Sequence, residues 1–296
     1  VGELNDILHE LESSLGSRTG EAAPLEGGIT NHNYKVALGG VDYVIRRPGK
    51  DTELLGIDRA AECLANGAAA ELGIAPAVAV SLESCLVTRF ISCRAADARV
   101  SIEEIARALR AFHNSGVALP TTFWVPDLLG DYAAIASRRG ASLPADYAQA
   151  VLVCARIEAV LPLRDARPCH NDLLPGNIIL ADQESRIMIV DWEYAGMGDP
   201  RFDLGNLSVN NDFDERDDER LLTAYGGAPP SDGARAVLKL MRVLSDAREA
   251  AWGVLQGVVS ELEFDFAAYA RKHFERLGAA LAGPDFEEWL AAANHG

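Results

Sequence analysis

The chain predicts an α+β fold of two lobes, a small antiparallel sheet with a helix followed by a larger and mostly helical body. Three observations carry that prediction. Short β-like runs broken by glycine turns crowd residues 1–92, whereas helical spacing dominates residues 93–296, and we set the domain boundary there. Two apolar β-like runs in the middle of the chain, Ile178-Ile179-Leu180 and Ile187-Met188-Ile189-Val190, flank a polar turn over 181–186 in the manner of a hairpin. With 296 residues, 49% of them hydrophobic, the chain can bury a large core in one or two domains.

The upper elements come first. Leu4, Ile7, Leu8, Leu11 and Leu15 recur at helical spacing and predict a helix over 3–15. The run from 27 to 36, the Gly39-Gly40 turn and the run from 41 to 46 predict a β-hairpin with a tip rich in Gly, Thr and Asn. A helix is expected over 58–72, and Leu86-Val87-Thr88-Arg89-Phe90-Ile91 reads as a last strand before the lower lobe. Ser101 and Glu104 form a capping-box pattern opening a helix over 101–113, with His113 near its end as a capping or packed residue. Further helices are expected within 127–138 and 144–161, and nearly throughout from 214 apart from a break over 226–233.

The chemistry concentrates in Cys169-His170-Asn171-Asp172-Leu173-Leu174-Pro175-Gly176-Asn177, followed by Asp191-Trp192-Glu193-Tyr194. The spacing His-x-Asp-x-x-x-x-Asn is that of a kinase catalytic loop, and phosphoryl transfer needs the residue types found there. Asp172 is the candidate base for a substrate hydroxyl. Asn177 and Asp191, brought together by the predicted hairpin, are the candidate ligands that hold Mg²⁺ against the phosphates of ATP. One such residue alone would read as a strand-end Asp or a capping Asn, but the full set does not.

The upper lobe offers matching groups. Thr30, Asn31 and Asn33 sit in the hairpin tip, where backbone N–H groups and small polar side chains can approach phosphates, although many turns of this kind bind nothing. Strand Tyr43-Val44-Ile45-Arg46 ends in a cation suited to the α and β phosphates, and Glu62 on the following helix is its natural ion-pair partner. Two unrelated surface charges are the plain alternative. Backbone groups of Phe90 and Ile91, at the connection between lobes, are candidates for hydrogen bonds to adenine.

A formal charge of −17 argues against a nucleic-acid partner or an anionic membrane surface, either of which asks for a positive patch, and suits a small cationic substrate. The five cysteines, at 63, 85, 93, 154 and 169, have neither metal-ligand spacing nor an even count and read as reduced core thiols. No basic leader precedes an apolar stretch and no run of ~18 apolar residues occurs, so neither a signal peptide nor a membrane span is expected, and a cytoplasmic location is.

Laid in order, these pieces resemble the choline and ethanolamine kinase family, within the aminoglycoside phosphotransferase-like branch of the protein-kinase-like fold. The resemblance rests on Gly28-Ile29-Thr30-Asn31-His32-Asn33-Tyr34-Lys35-Val36, Tyr43-Val44-Ile45-Arg46, Asp58-Arg59 with Glu62, His170-Asn171-Asp172-Leu173-Leu174 with Asn177, and Asp191-Trp192-Glu193-Tyr194-Ala195-Gly196 running into Phe202-Asp203-Leu204-Gly205-Asn206. It implies ATP- and Mg²⁺-dependent phosphorylation of a small amino alcohol, choline or ethanolamine, with Arg46 in the place of the kinase lysine. It also implies that Asp203 organises the catalytic loop, and that Glu193 faces the metal or the substrate. Trp252, Gln256, Phe264 and Tyr269 match the segment that supplies the choline pocket, where aromatic faces hold a quaternary ammonium. Core packing is the simpler reading of Trp252 and Tyr269 on amphipathic helices. The chain departs from the eukaryotic pattern at Glu249 and Asn210, where a second Trp and a Glu are usual. An aminoglycoside or thiamine kinase, or a non-catalytic nucleotide-binding protein, are the alternatives compatible with the same residues.

Overall fold

The computed structural model describes residues 2–25, 31–49, 51–182 and 186–294. Strands β1 (Ala23–Leu25), β2 (Asn31–Leu38), β3 (Val41–Pro48), β4 (Val78–Leu82) and β5 (Cys85–Arg89) form an antiparallel sheet in the order β1-β2-β3-β5-β4. Helix α1 (Gly2–Leu15) lays Ile7, Leu8 and Leu11 on the sheet face formed by Val36, Leu38, Ile45 and Val87. The turn joining β2 to β3 requires glycine: Gly39 has φ 57°, and a Cβ there would stand 2.3 Å from the carbonyl oxygen of Leu15. Helix α2 (Arg59–Glu71) follows, its first turn capped by the Asp58 carboxylate accepting the Ala61 N–H at 2.9 Å. Its Ala61, Ala65 and Ala69 side chains are fully buried, leaving charged residues on the other faces.

The lower lobe is helical around two small ribbons. Strand β6 (Cys93–Ala95), helices α3 (Ile102–His113), α4 (Val125–Arg138) and α5 (Ala145–Val160), strands β7 (Arg167–Cys169), β8 (Ile178–Ala181), β9 (Arg186–Ile189) and β10 (Gly196–Gly198), and helices α6 (Pro200–Asn210), α7 (Glu215–Gly226), α8 (Asp232–Val259), α9 (Phe266–Leu281) and α10 (Asp285–Ala293) succeed one another. β8 and β9 form the expected hairpin, and β6 adds to its edge. β7 pairs with β10, so that Cys169 lies opposite Gly196. The catalytic-loop segment and the Asp191 segment therefore leave these two ribbons side by side.

Helix α8 is the axis of the lobe. Apolar residues occupy every side of its middle turns, and α6 crosses it where Gly205 leaves room, since a Cβ there would come within 2.5 Å of Met241. Buried within this apolar helix are three charges, Asp246, Arg248 and Glu249.

Two sequence expectations change. Ser101 makes no side-chain cap, and Glu104 instead accepts the backbone N–H of Ile187 at 2.7 Å, tying α3 to β9. A strand N–H left without a partner is costly, so the carboxylate goes there rather than back to its own helix. Cys85, Cys154 and Cys169 are buried thiols, whereas Cys93 is exposed on the short strand β6. Among the described residues no helix is long and apolar enough to cross a membrane.

Candidate active site

Residues 170–173 are held almost entirely by polar side chains of the helix that follows. Asp203, in the first turn of α6 and fully buried, accepts the N–H of His170 at 2.8 Å with one oxygen and the N–H of Asn171 at 2.7 Å with the other. His113 Nε2 meets the same carboxylate at 2.9 Å. Burial works against the Asp203 charge, but these donors outweigh it and hold its pKa below the ordinary aspartate value. Asn206 accepts the N–H of Leu173 at 2.5 Å, and Asn211 donates to the Leu173 carbonyl at 3.1 Å. The loop is thus fastened at four backbone groups.

His170 braces the loop. Its Nε2 lies 3.0 Å from the carbonyl of Val190, which can only accept, so Nε2 carries the proton and Nδ1 accepts the N–H of Asp172 at 3.2 Å. Burial lowers its pKa, which agrees with a neutral ring. Trp192 packs between His170 and Phe112, at 4.6 Å and 4.5 Å, and donates Nε1 to the Ile189 carbonyl. Asn171 and Asp191 are left-handed, at φ 68° and 67°. That conformation costs on the order of 1–3 kcal/mol each outside glycine and persists here because the surrounding bonds fix it.

Asp172 is buried at the end of this loop. Its Oδ2 accepts from Asn177 Nδ2 at 3.1 Å and its Oδ1 from Arg248 Nη1 at 3.1 Å. Burial pushes its carboxyl well above the ordinary range; Arg248 opposes this, while Glu249, Asp191 and Glu193 reinforce it. Asn177 Nδ2 also donates to the Asp172 carbonyl at 2.8 Å. With the amide nitrogen so engaged, the atom that Asn177 has for a metal is its oxygen. Together with the Asp191 carboxylate it offers the hard oxygen donors that Mg²⁺ takes, so the candidate pair fits that ion.

Upper-lobe charges meet Asp191 from above. Arg46 Nη1 donates to Asp191 at 2.6 Å and to Glu62 at 2.9 Å. Burial opposes its charge, yet Asp191, Glu62 and Glu193 outweigh that and raise its pKa above the ordinary arginine value. Arg59 donates to the second oxygen of Glu62 at 2.6 Å and lies 3.6 Å from Glu193. Asn33 stands opposite Arg46 in the β2–β3 register, on the same sheet face. Its Oδ1 is buried and has no hydrogen-bond partner among the described residues.

The other wall comes from α8 and α9. Arg248 Nη1 donates to Glu249 at 2.8 Å as well as to Asp172, and Tyr269 donates its hydroxyl to the second oxygen of Glu249 at 2.7 Å. Trp252 Nε1 donates to the Tyr194 hydroxyl at 2.7 Å. Edge-on aromatic contacts link Trp252 to Tyr269 at 5.5 Å and to Phe266 at 5.8 Å, and Phe264, 42% exposed, packs against Phe266 and Tyr269.

Measured against the sequence, the structure brings Asp172, Asn177, Asp191, Arg46 and Glu62 into one cluster, and Trp252 with Tyr269 into another. Three of the expected residues are also engaged within the protein. Asn31 was read as a phosphate-facing tip residue; it is buried and donates to Glu193 at 2.8 Å, because an inward-facing amide at a strand start needs an acceptor. Glu193, expected to face the metal or the substrate, accepts from Asn31 and lies beside Arg59, both on the upper-lobe side. The Phe90 N–H is bonded to the Asp42 carbonyl at 3.0 Å, which leaves the Phe90 carbonyl and the Ile91 backbone groups as the adenine candidates. Thr30 lies outside the described residues. Arg59 and Arg248 were missed as site residues.

A five-stranded sheet over a helical lobe, with an Asp, an Asn and a second Asp converging beneath an Arg–Glu pair, defines a protein-kinase-like small-molecule kinase. The family described as "phosphotransferase enzyme family" matches residues 21–239. A solved choline/ethanolamine kinase family protein from Mesorhizobium loti is 31% identical over 97% of this chain and 99% of its own, with a TM-score of 0.80. Choline kinase LicA from Streptococcus pneumoniae is 25% identical, covering 95% and 99%, with a TM-score of 0.78. A structure of LicA in complex with AMP is 26% identical, covering 94% and 97%, with a TM-score of 0.73. Protein LicA of Haemophilus influenzae is 29% identical over 67% of this chain, and that match spans 61% of the relative's length. The chain belongs to the phosphotransferase enzyme family, in its choline/ethanolamine kinase group.

Proposed function

We propose that this chain transfers the γ-phosphoryl group of ATP to the hydroxyl of a small amino alcohol, choline in the first place and ethanolamine in the second. One observation carries the reading. The candidate base and the candidate ammonium wall form one continuous set of contacts, from Asp172 through Arg248 and Glu249 to Tyr269, beside Tyr194 and Trp252. A hydroxyl at Asp172 and a cation a few ångströms away, against aromatic faces and a carboxylate, are the two ends of an amino alcohol.

In this reading the alcohol oxygen attacks the γ-phosphorus, ADP leaves, and Asp172 Oδ2 receives the hydroxyl proton. Asn177 and Arg248 each hold one Asp172 oxygen, so the carboxylate is oriented before substrate arrives. Arg46, itself fixed by Glu62, steadies the α and β phosphates. Asn177 and Asp191 would hold Mg²⁺, which neutralises charge on the β and γ phosphates.

A coupled ADP-release assay with MgATP against choline, ethanolamine, thiamine and kanamycin tests the proposal. Turnover with choline or ethanolamine above the ATP-only rate is expected. Turnover confined to thiamine or kanamycin, or none with any alcohol, contradicts it.

A further inference from the structure

Arg248 is 1% exposed, in the middle of an apolar helix, a place where a guanidinium is costly unless its partners are good. Its bonds are few. Among the described residues only Nη1 has hydrogen-bond partners, Asp172 and Glu249, while Nε and Nη2 have none. The guanidinium carbon lies 4.3 Å above the Tyr194 ring and 5.9 Å from that of Phe123. Two buried donors without acceptors make this a poor arrangement for folding, and a pair of neutral side chains of the same shape would serve the core as well or better. Stability therefore does not account for the residue.

Its position does. Glu249 is held independently on its other oxygen by Tyr269. Asp172 is likewise held on its other oxygen, Oδ2 by Asn177, so the Arg248 bond to Oδ1 is the second point that stops this carboxylate, the candidate base, from turning about its Cβ–Cγ bond. We propose that Arg248 is a positioning residue for the reaction, fixing the plane of Asp172 so that Oδ2 stays presented to the acceptor hydroxyl. This rests on the reading of Asp172 as base. A base displaced or rotated by about 1 Å loses on the order of 10²-fold in rate without any loss of ligand binding.

The test separates service to Asp172 from service to Glu249. Arg248→Met/Glu249→Gln removes both charges together, so the fold is not left with an unpaired Glu249. Relative to Glu249→Gln, this double variant is expected to lose about 10²-fold in kcat for choline phosphorylation, with KM for MgATP unchanged and thermal unfolding no lower. Arg248→Lys, which keeps the charge but not the planar fork, is expected to fall between. Equal kcat for the double variant and Glu249→Gln, or wild-type kcat for Arg248→Lys with proportionate losses of KM and kcat in the double variant, overturns the proposal. Asp172→Asn runs beside them. If it is inactive while the double variant matches Glu249→Gln, only the role of Arg248 falls; if it remains active, the base reading falls and the proposal with it.

Discussion

Two ionic networks flank the loop over 170–177, and they are built on opposite plans. Towards the upper lobe, two arginines share three carboxylates: Glu62 receives both Arg46 and Arg59, Asp191 receives Arg46, and Glu193 lies beside Arg59. Towards α8 and α9, one arginine bridges Asp172 and Glu249 in the sealed interior. The first network is redundant and partly open, the side chains of Arg46 and Asp191 being 15% and 16% exposed. Such a network can exchange partners when phosphates arrive. The second has no slack, so it suits a group whose orientation must be set in advance.

Substitutions on the two sides are expected to differ in size. On the sealed side, Asp172→Asn is expected to lower kcat by ~10²-fold or more with nucleotide affinity retained, as titration with a fluorescent ATP analogue would report. Nearly as large is the loss on removing the floor common to both sides. Asp203→Ala strips two backbone N–H groups of the loop of their acceptor and His113 Nε2 of its partner, leaving His113 its Tyr225 contact, and is expected to cost about 3 kcal/mol in urea unfolding. A loss under 1 kcal/mol would show that Asp203 does not carry the loop.

Smaller effects are expected on the redundant side. Arg46→Ala is expected to raise KM for MgATP by about tenfold, the size of a charge-assisted hydrogen bond, with a lesser change in kcat. Arg59→Ala, which leaves Glu62 its bond to Arg46, is expected to change either constant by only a few fold. If Arg59→Ala proved the more damaging of the two, the redundancy would be misassigned. The mildest probe is pH. Burial raises the Asp172 pKa, and the base acts when ionised, so kcat/KM is expected to rise with pH over a range above that of an exposed aspartate, about 4. A profile flat from pH 5 upward would contradict a raised pKa.

Much of the upper-lobe side of the candidate site was legible in the sequence because its signals are local. The His170 to Asn177 spacing, the hairpin at 178–189 and the strand ending at Arg46 each declare themselves within a short window. Glu62 followed because it lies one turn into the next helix. The sealed side was not legible in the same way. An arginine in an alanine-rich helix reads as a solvated face, and only its place off the polar stripe of Arg235, Lys239, Arg242, Asp246 and Glu249, among the buried Leu244, Ala251, Trp252 and Leu255, betrays Arg248. Glu104 and Asn31 mislead for a related reason. Each fits a local role, a helix cap and a turn tip, but a buried group elsewhere in the fold, the Ile187 N–H or the Glu193 carboxylate, claims it.

Phosphorus NMR of the wild-type protein with MgATP and choline tests most directly whether the phosphoryl group reaches an amino-alcohol hydroxyl at Asp172. The account predicts a phosphomonoester resonance that grows in step with ADP, and neither signal at a comparable rate from Asp172→Asn. Inorganic phosphate in place of the ester, or ester formed at an undiminished rate by Asp172→Asn, would contradict it.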